Sequence, residues 1–225
     1  MKLLAIGAFL TVTGTCVAQT VWYNGDYNGF NAFLSTWGTP NGFSNQEAIQ
    51  YEDFVWNSSD TAKSILGTVL INTSFTQLHW EIRENMEFGN NNVGTVVASG
   101  LTTPVLADLG FSGFPGYETY GLQADIGSVA LTNGNTYFLG FCAITSGPDF
   151  AMGIATTSGD NSIGTPVNNG NAFSLDPSGT FFDDFDFDLS MGISASHVGP
   201  VPEPATFAFV GLGALALLRR SKKSR

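Results

Sequence analysis

The chain has 225 residues and a formal net charge of −11. Lys63 and Arg83 are the only Lys or Arg residues between residues 19 and 200, a segment that holds all but one of the 19 acidic residues. A segment this acidic does not bind nucleic acid or another polyanion through its charge, so we expect no nucleic-acid partner. The 27 Gly and 19 Phe, with many Asn, Thr and Ser, favour short strands joined by tight turns over helices.

The first 18 residues have the pattern of a secretory signal peptide. Lys2 supplies the positive start, residues 3–12 are apolar, and small residues end the segment at Ala18. We predict that signal peptidase cleaves after Ala18 and that the protein is exported. Cleavage removes Cys16 and leaves Cys142 alone, which excludes an intramolecular disulfide.

Residues 19–197 are long enough to form one domain with a sizeable core. In residues 76–83 apolar and polar side chains alternate, which places Leu78, Trp80 and Ile82 on one face and His79, Glu81 and Arg83 on the other. Further strands are predicted at residues 49–56, 65–71, 93–98, 117–126, 136–144 and 150–156, between turn-forming segments rich in Gly and Asn. This series of short strands predicts an all-β fold, an antiparallel β-sandwich or jelly-roll-like single domain.

Residues 184–193 show the cleanest alternation and predict one late strand. Its apolar side chains would point inward, and Asp184, Asp186 and Asp188 would share the outer face. Three carboxylates on one face repel one another unless they are solvated or neutralised, so this face is a candidate Ca²⁺ site. An acidic strand that resists edge pairing explains the pattern without an ion. No other cofactor is expected.

Aromatic residues near the N terminus are candidates for glycan binding. Trp22, Tyr27 and Trp37 lie in a segment rich in Asn and Gly, whereas Trp56 and Trp80 lie in predicted core strands. Exposed Trp and Tyr rings beside amide and carboxylate groups suit the faces of sugar rings. The first three residues therefore form the predicted glycan-binding set.

The sequence contains no HExxH, GxSxG or P-loop motif, and His79 is the only histidine before the linker at which His197 lies. Several carboxylates on or beside strands could in principle run glycoside hydrolysis: Glu52, Asp53, Glu81, Glu84 and Glu87. Their separations cannot be derived from the sequence. We therefore predict a non-catalytic protein, with a carbohydrate-binding module as the first alternative and a secreted glycoside hydrolase-like enzyme as the second.

The last 25 residues form a tail with three parts. A linker at residues 198–204 ends in Val201, Pro202, Glu203 and Pro204; residues 205–218 are apolar; residues 219–225 are basic. A helix over the apolar part would be about 21 Å long, shorter than the roughly 30 Å hydrocarbon core of a membrane. This length favours a transient membrane segment with a cytoplasmic basic end, and a permanent tail anchor is the alternative.

The tail resembles the PEP-CTERM sorting signal of Gram-negative bacteria, which combines a Pro-Glu-Pro-like motif, a short transmembrane stretch and an Arg-rich end. The resemblance implies that an exosortase, a membrane-embedded transpeptidase-like protease, recognises Val201, Pro202, Glu203 and Pro204 together with the end that begins at Arg219 and Arg220. It implies cleavage near the motif in bacteria that typically make exopolysaccharide. The preceding domain resembles β-sandwich domains of unknown activity that carry this tag. We therefore expect a protein of the cell surface or extracellular matrix, structural or associated with exopolysaccharide.

Overall fold

The computed structural model describes residues 19–37, 48–87, 92–111, 115–145, 151–176, 181–184 and 186–195. Within these ranges the chain forms 14 strands and no helix. The strands form two sheets of seven. The predicted signal peptide, linker, apolar segment and basic tail lie outside the described residues.

The first sheet is built around one long central strand. Its members are β1 (Thr20–Tyr23), β2 (Tyr27–Leu34), β5 (Ala62–Ile71), β8 (Val105–Asp108), β9 (Glu118–Val129), β11 (Met152–Thr157) and β14 (Met191–Ser194). Along one edge of β5 lies β9, with β8 beyond it. The other edge is shared, because β14 pairs with its first half and β11 with its second. Outside these two strands lie β1 and β2, respectively.

The second sheet has the order β13-β12-β4-β10-β6-β7. Its members are β3 (Thr36–Trp37), β4 (Ile49–Val55), β6 (Gln77–Glu87), β7 (Asn92–Thr102), β10 (Thr136–Ile144), β12 (Phe173–Leu175) and β13 (Phe181–Asp184). Neighbours in this order are antiparallel. The two-residue β3 pairs in parallel with the end of β10, next to β4.

The sheets pack their apolar faces against each other. From the second sheet come Phe54, Leu78, Trp80, Ile82, Leu139 and Phe141, and from the first come Trp22, Ile65, Val69, Met152, Ile154, Met191 and Ile193. All are buried. The burial of Leu78, Trp80 and Ile82 confirms the inward face predicted for residues 76–83. Antiparallel pairing and a shared core thus confirm the all-β architecture and agree with a sandwich.

The predicted strand bounds agree closely with the structure where apolar and polar residues alternate in the sequence, or where the sequence is continuously apolar. The strand predicted at 136–144 matches β10, and the strand predicted at 49–56 extends one residue beyond the observed end of β4. The strand predicted at 184–193 is wrong. In the structure β13 ends at Asp184 in the second sheet and β14 begins at Met191 in the first, so residues 186–190 connect the two sheets.

Candidate functional site

The three aromatic residues predicted to bind glycans have different environments. Trp22 is fully buried; its ring stacks on Phe54 with centroids 5.5 Å apart, and its indole N–H donates to the Pro166 carbonyl at 2.8 Å. This burial corrects the prediction for Trp22, whose ring has no face open to a sugar. Tyr27 is half-buried and stacks on Phe111 at 6.2 Å. Trp37 lies in β3, and its side chain is outside the described part of the structure.

The three aspartates predicted to share one strand face do not do so. Asp184 ends β13, its side chain being outside the described part, whereas Asp186 is exposed and Asp188 is fully buried in the connection between the sheets. The described ranges contain no group of three or more His, Cys, Asp or Glu side chains arranged to hold a metal ion. The structure therefore separates Asp186 from Asp188, two of the three residues of the candidate Ca²⁺ site.

Asp188 instead lies in the interior with a second carboxyl group, that of Glu52. One Asp188 oxygen, Oδ1, accepts hydrogen bonds from the backbone N–H groups of Gly170 (2.6 Å) and Asn171 (3.0 Å), while Glu52 Oε2 accepts one from Leu189 N–H at 2.8 Å. Burial, with the charge of Asp188 adding to it, raises the pKa of Glu52 well above its usual value. Both side chains are fully buried, so neither is accessible to a dissolved substrate.

The outer face of the second sheet carries a polar cluster around Glu81. Its carboxylate accepts hydrogen bonds from Tyr51 Oη–H at 2.8 Å and Arg83 Nε–H at 2.6 Å, and Oε1 lies 3.0 Å from His79 Nε2. The Arg83 guanidinium group also lies over the Tyr51 ring, 5.8 Å from its centroid. Because three neighbouring side chains form hydrogen bonds with the Glu81 carboxylate, this cluster stabilises the sheet.

An open cleft of about 600 Å³ lies where β5 ends and β9 begins; we call it the aromatic cleft. Its lining includes three rings, those of Phe75, Tyr117 and Tyr120, and several polar side chains, among them Asn72, Thr73, Ser74 and Glu118. Pairing of Ile71 with Glu118 brings the turn after β5 beside the start of β9. Two distant segments of the sequence therefore form one surface.

Two of the three rings of the aromatic cleft are held by contacts with the rest of the domain. Phe75 and Tyr120 are half-buried and pack against the main core. The Tyr120 hydroxyl donates a hydrogen bond to Glu118 Oε2 at 2.6 Å, a bond that raises the pKa of Tyr120. A ring held on one side by the core and at its hydroxyl by a carboxylate loses little rotamer freedom when a ligand stacks on it.

A second, smaller cleft of about 210 Å³ shares one lining residue, Tyr117, with the aromatic cleft. It is lined by Asn31, Ala32, Leu34, Leu70, Tyr117, Met152 and Gly153. In their described lining the two clefts have a single carboxylate, Glu118, and no Lys, Arg or His.

The sequence alone did not single out these cleft residues. Phe75 lies in the turn NTSF after a predicted strand, and Tyr117 and Tyr120 flank Glu118 in the segment GYETYG. An aromatic residue within an otherwise polar turn, as Phe75 is, could have been used to predict a binding surface. These residues lie close together because β5 pairs with β9. A local sequence pattern does not predict the pairing of two distant strands.

The fold and the tail together define a class, an all-β domain followed by a C-terminal sorting signal. Residues 200–223 match the family model of the PEP-CTERM protein-sorting motif, which confirms the resemblance found in the sequence. This motif implies export and exosortase-mediated sorting to the surface of a Gram-negative bacterium. The match covers the tail and leaves the β-sheet domain outside it. No curated protein matches the chain in sequence. The described residues include no helix able to cross a membrane.

Proposed function

We propose that this protein is a non-catalytic component of the cell surface or extracellular matrix that associates with exopolysaccharide after export and exosortase processing. The observation that carries the proposal is the sorting motif at residues 200–223. Signal peptidase removes residues 1–18. The apolar residues 205–218 then hold the chain transiently in the membrane until the exosortase cleaves near Pro204.

Two observations support a non-catalytic role over a glycoside hydrolase. Hydrolysis of a glycosidic bond normally needs two carboxyl groups facing the same sugar. The described lining of the two clefts has one, Glu118, and its Oε2 already accepts the Tyr120 hydroxyl. Among the earlier candidates, Glu52 is sealed in the interior and Glu81 is bound by Tyr51, His79 and Arg83.

Intact mass spectrometry of the mature protein, recovered from its host with and without the exosortase, tests the sorting step. We expect a chain that begins at Gln19 and ends near Pro204, plus the mass of any attached group. In the strain without the exosortase, the C-terminal residues should be retained. A mass that includes Arg225 in both strains would contradict the proposal and would leave a tail-anchored protein.

Fractionation of the same cultures tests the association. The protein should accompany the exopolysaccharide fraction and move to the soluble fraction in a strain that makes no polysaccharide. Release of new reducing ends from that polysaccharide by the purified protein, abolished by a single carboxylate substitution, would instead support the enzyme alternative.

A further inference from the structure

We propose that the aromatic cleft binds an uncharged polysaccharide chain directly. This inference deepens the proposed function and rests on it for the location of the protein. The cleft is open at the surface and has the volume of a small-ligand site, about 600 Å³. Because the site is open, an internal stretch of a long chain can lie in it while both ends of the chain extend beyond it.

The aromatic residues provide the apolar part of the recognition. Phe75, Tyr117 and Tyr120 line the cleft from the turn after β5 and from the start of β9. A sugar ring has a face of C–H groups that packs against an aromatic face, as other apolar groups do. Because Phe75 and Tyr120 also pack on the core, their positions are set before the ligand binds.

The polar residues provide hydrogen-bonding partners beside the rings. Asn72, Thr73 and Ser74 are exposed at the edge of the cleft and offer amide and hydroxyl groups. Glu118 offers carboxylate oxygens next to the Tyr120 hydroxyl. Sugar hydroxyls both donate and accept hydrogen bonds, so amides, hydroxyls and a carboxylate together suit them.

The charge of the site distinguishes an uncharged chain from an anionic one. The described lining of both clefts has no cationic side chain, and Glu118 gives it a negative charge. The acidic residues of the domain add a repulsive field. A polyuronate or a phosphorylated polymer would therefore meet repulsion with no compensating ion pair.

Affinity electrophoresis of the mature protein purified from its host tests this inference. The gels contain dextran, laminarin or galactomannan as uncharged probes, alginate as the anionic probe, or no polysaccharide. We expect at least one uncharged probe to retard the protein and alginate to leave its mobility unchanged. Tyr117→Ala should weaken that binding by about tenfold or more, since it removes one of the three rings that line the aromatic cleft.

Matched variants separate the cleft from general effects of substitution. Phe30→Ala removes an aromatic ring that is 80% exposed and lines neither cleft, and it should leave binding unchanged. Asn72→Ala changes an exposed turn residue of the cleft and should weaken binding severalfold, which keeps the test valid if Tyr117→Ala fails to fold. Thermal melting of each variant establishes that it is folded.

Three results would overturn the inference: no retardation by any uncharged probe, equal retardation by alginate, or retardation that both cleft substitutions leave unchanged. The mass measurement distinguishes these results from a failure of the proposed function. A chain that ends near Pro204 yet does not bind the probes refutes the cleft alone. A chain that binds through Tyr117 yet retains Arg225 refutes the sorting proposal alone.

Discussion

Glu81 shows how one side chain depends on residues from neighbouring strands. Its partial burial would by itself raise its pKa, but hydrogen bonds from His79, Arg83 and Tyr51, with the charge of Arg83, outweigh that effect and lower the pKa to about 2. A carboxyl group whose pKa is lower in the folded chain contributes stability above its unfolded pKa. That contribution is lost as the pH falls toward the folded value.

We expect Glu81→Gln to lower the free energy of unfolding by roughly 2 kcal/mol at neutral pH, because three hydrogen bonds lose their charged acceptor. The difference from the wild type should shrink as the pH falls from about 5 toward about 2. Urea unfolding at several pH values measures it. Glu87→Gln, at the exposed end of the same strand, is the control and should change stability by less than about 0.5 kcal/mol. A difference that persists undiminished in acid would refute this account.

At the scale of the residue, alternation in the sequence assigned the correct face to His79, Glu81 and Arg83. It did not provide Tyr51, because Tyr51 belongs to β4, two strands away from β6. Trp22 failed as a glycan candidate for a related reason. A polar surrounding sequence does not reveal that a ring fills the gap between two sheets.

At the scale of the element, β10 makes the contact between Tyr51 and Glu81 possible. Gly140 on β10 pairs with Tyr51 on one side and with Glu81 on the other. A Cβ atom at Gly140 would lie 2.4 Å from Cε1 of the Tyr51 ring. The absent side chain thus leaves the space in which the ring crosses the strand to reach the carboxylate.

Gly140→Ala should therefore destabilise the fold by about 1–3 kcal/mol, since the new methyl group forces the buried ring to move. Comparison of denaturant midpoints, with near-ultraviolet circular dichroism to report on the ring, measures the effect. Gly121→Ala on β9 is the matched control, because its nearest neighbour would be Leu109 Cδ2 at 3.7 Å. Equal stability of the two variants would show that the Tyr51 ring adapts without cost.

The alternation that located most strands misled at residues 184–193. A period of two predicts which side chains share a face of a strand. It does not predict to which of the two sheets that strand belongs. Here Phe187 stacks on Phe33 with centroids 4.4 Å apart, and Asp188 accepts hydrogen bonds from the backbone of residues 170 and 171. These partners hold the connection in place without a continuous strand.

At the scale of the whole molecule, the core holds the described residues together, and no disulfide links them. Cys142 is a fully buried thiol on the outer side of β10 that forms no disulfide with any described residue, and Cys16 belongs to the predicted leader. We expect the native mature protein to react negligibly with Ellman's reagent and to release one equivalent after unfolding. A reducing agent should leave the melting temperature unchanged. Rapid labelling of the native protein would contradict the burial of this thiol.

The sequence predicted the sorting signal of the protein better than it predicted the residues of the aromatic cleft. The sorting tail is a local pattern, with the Pro-Glu-Pro motif, the apolar run and the cations contiguous in the chain, so no fold is needed to find it. The aromatic cleft arises from a pairing between residues 71 and 118. Such a long-range register is set by the whole sandwich, and short motifs do not contain it.

The position of β14 determines how the domain bears a mechanical load. This strand lies inside the first sheet, bonded to β1 along one edge and to β5 along the other, and Ala195 N–H donates to the Gln19 carbonyl just beyond it. The described residues end at Ala195, and the segment that matches the sorting motif follows later in the sequence, at residues 200–223. If the tail were tethered to the cell surface, tension along it would reach β14 first, a strand bonded along both edges, so two rows of hydrogen bonds would resist the pull.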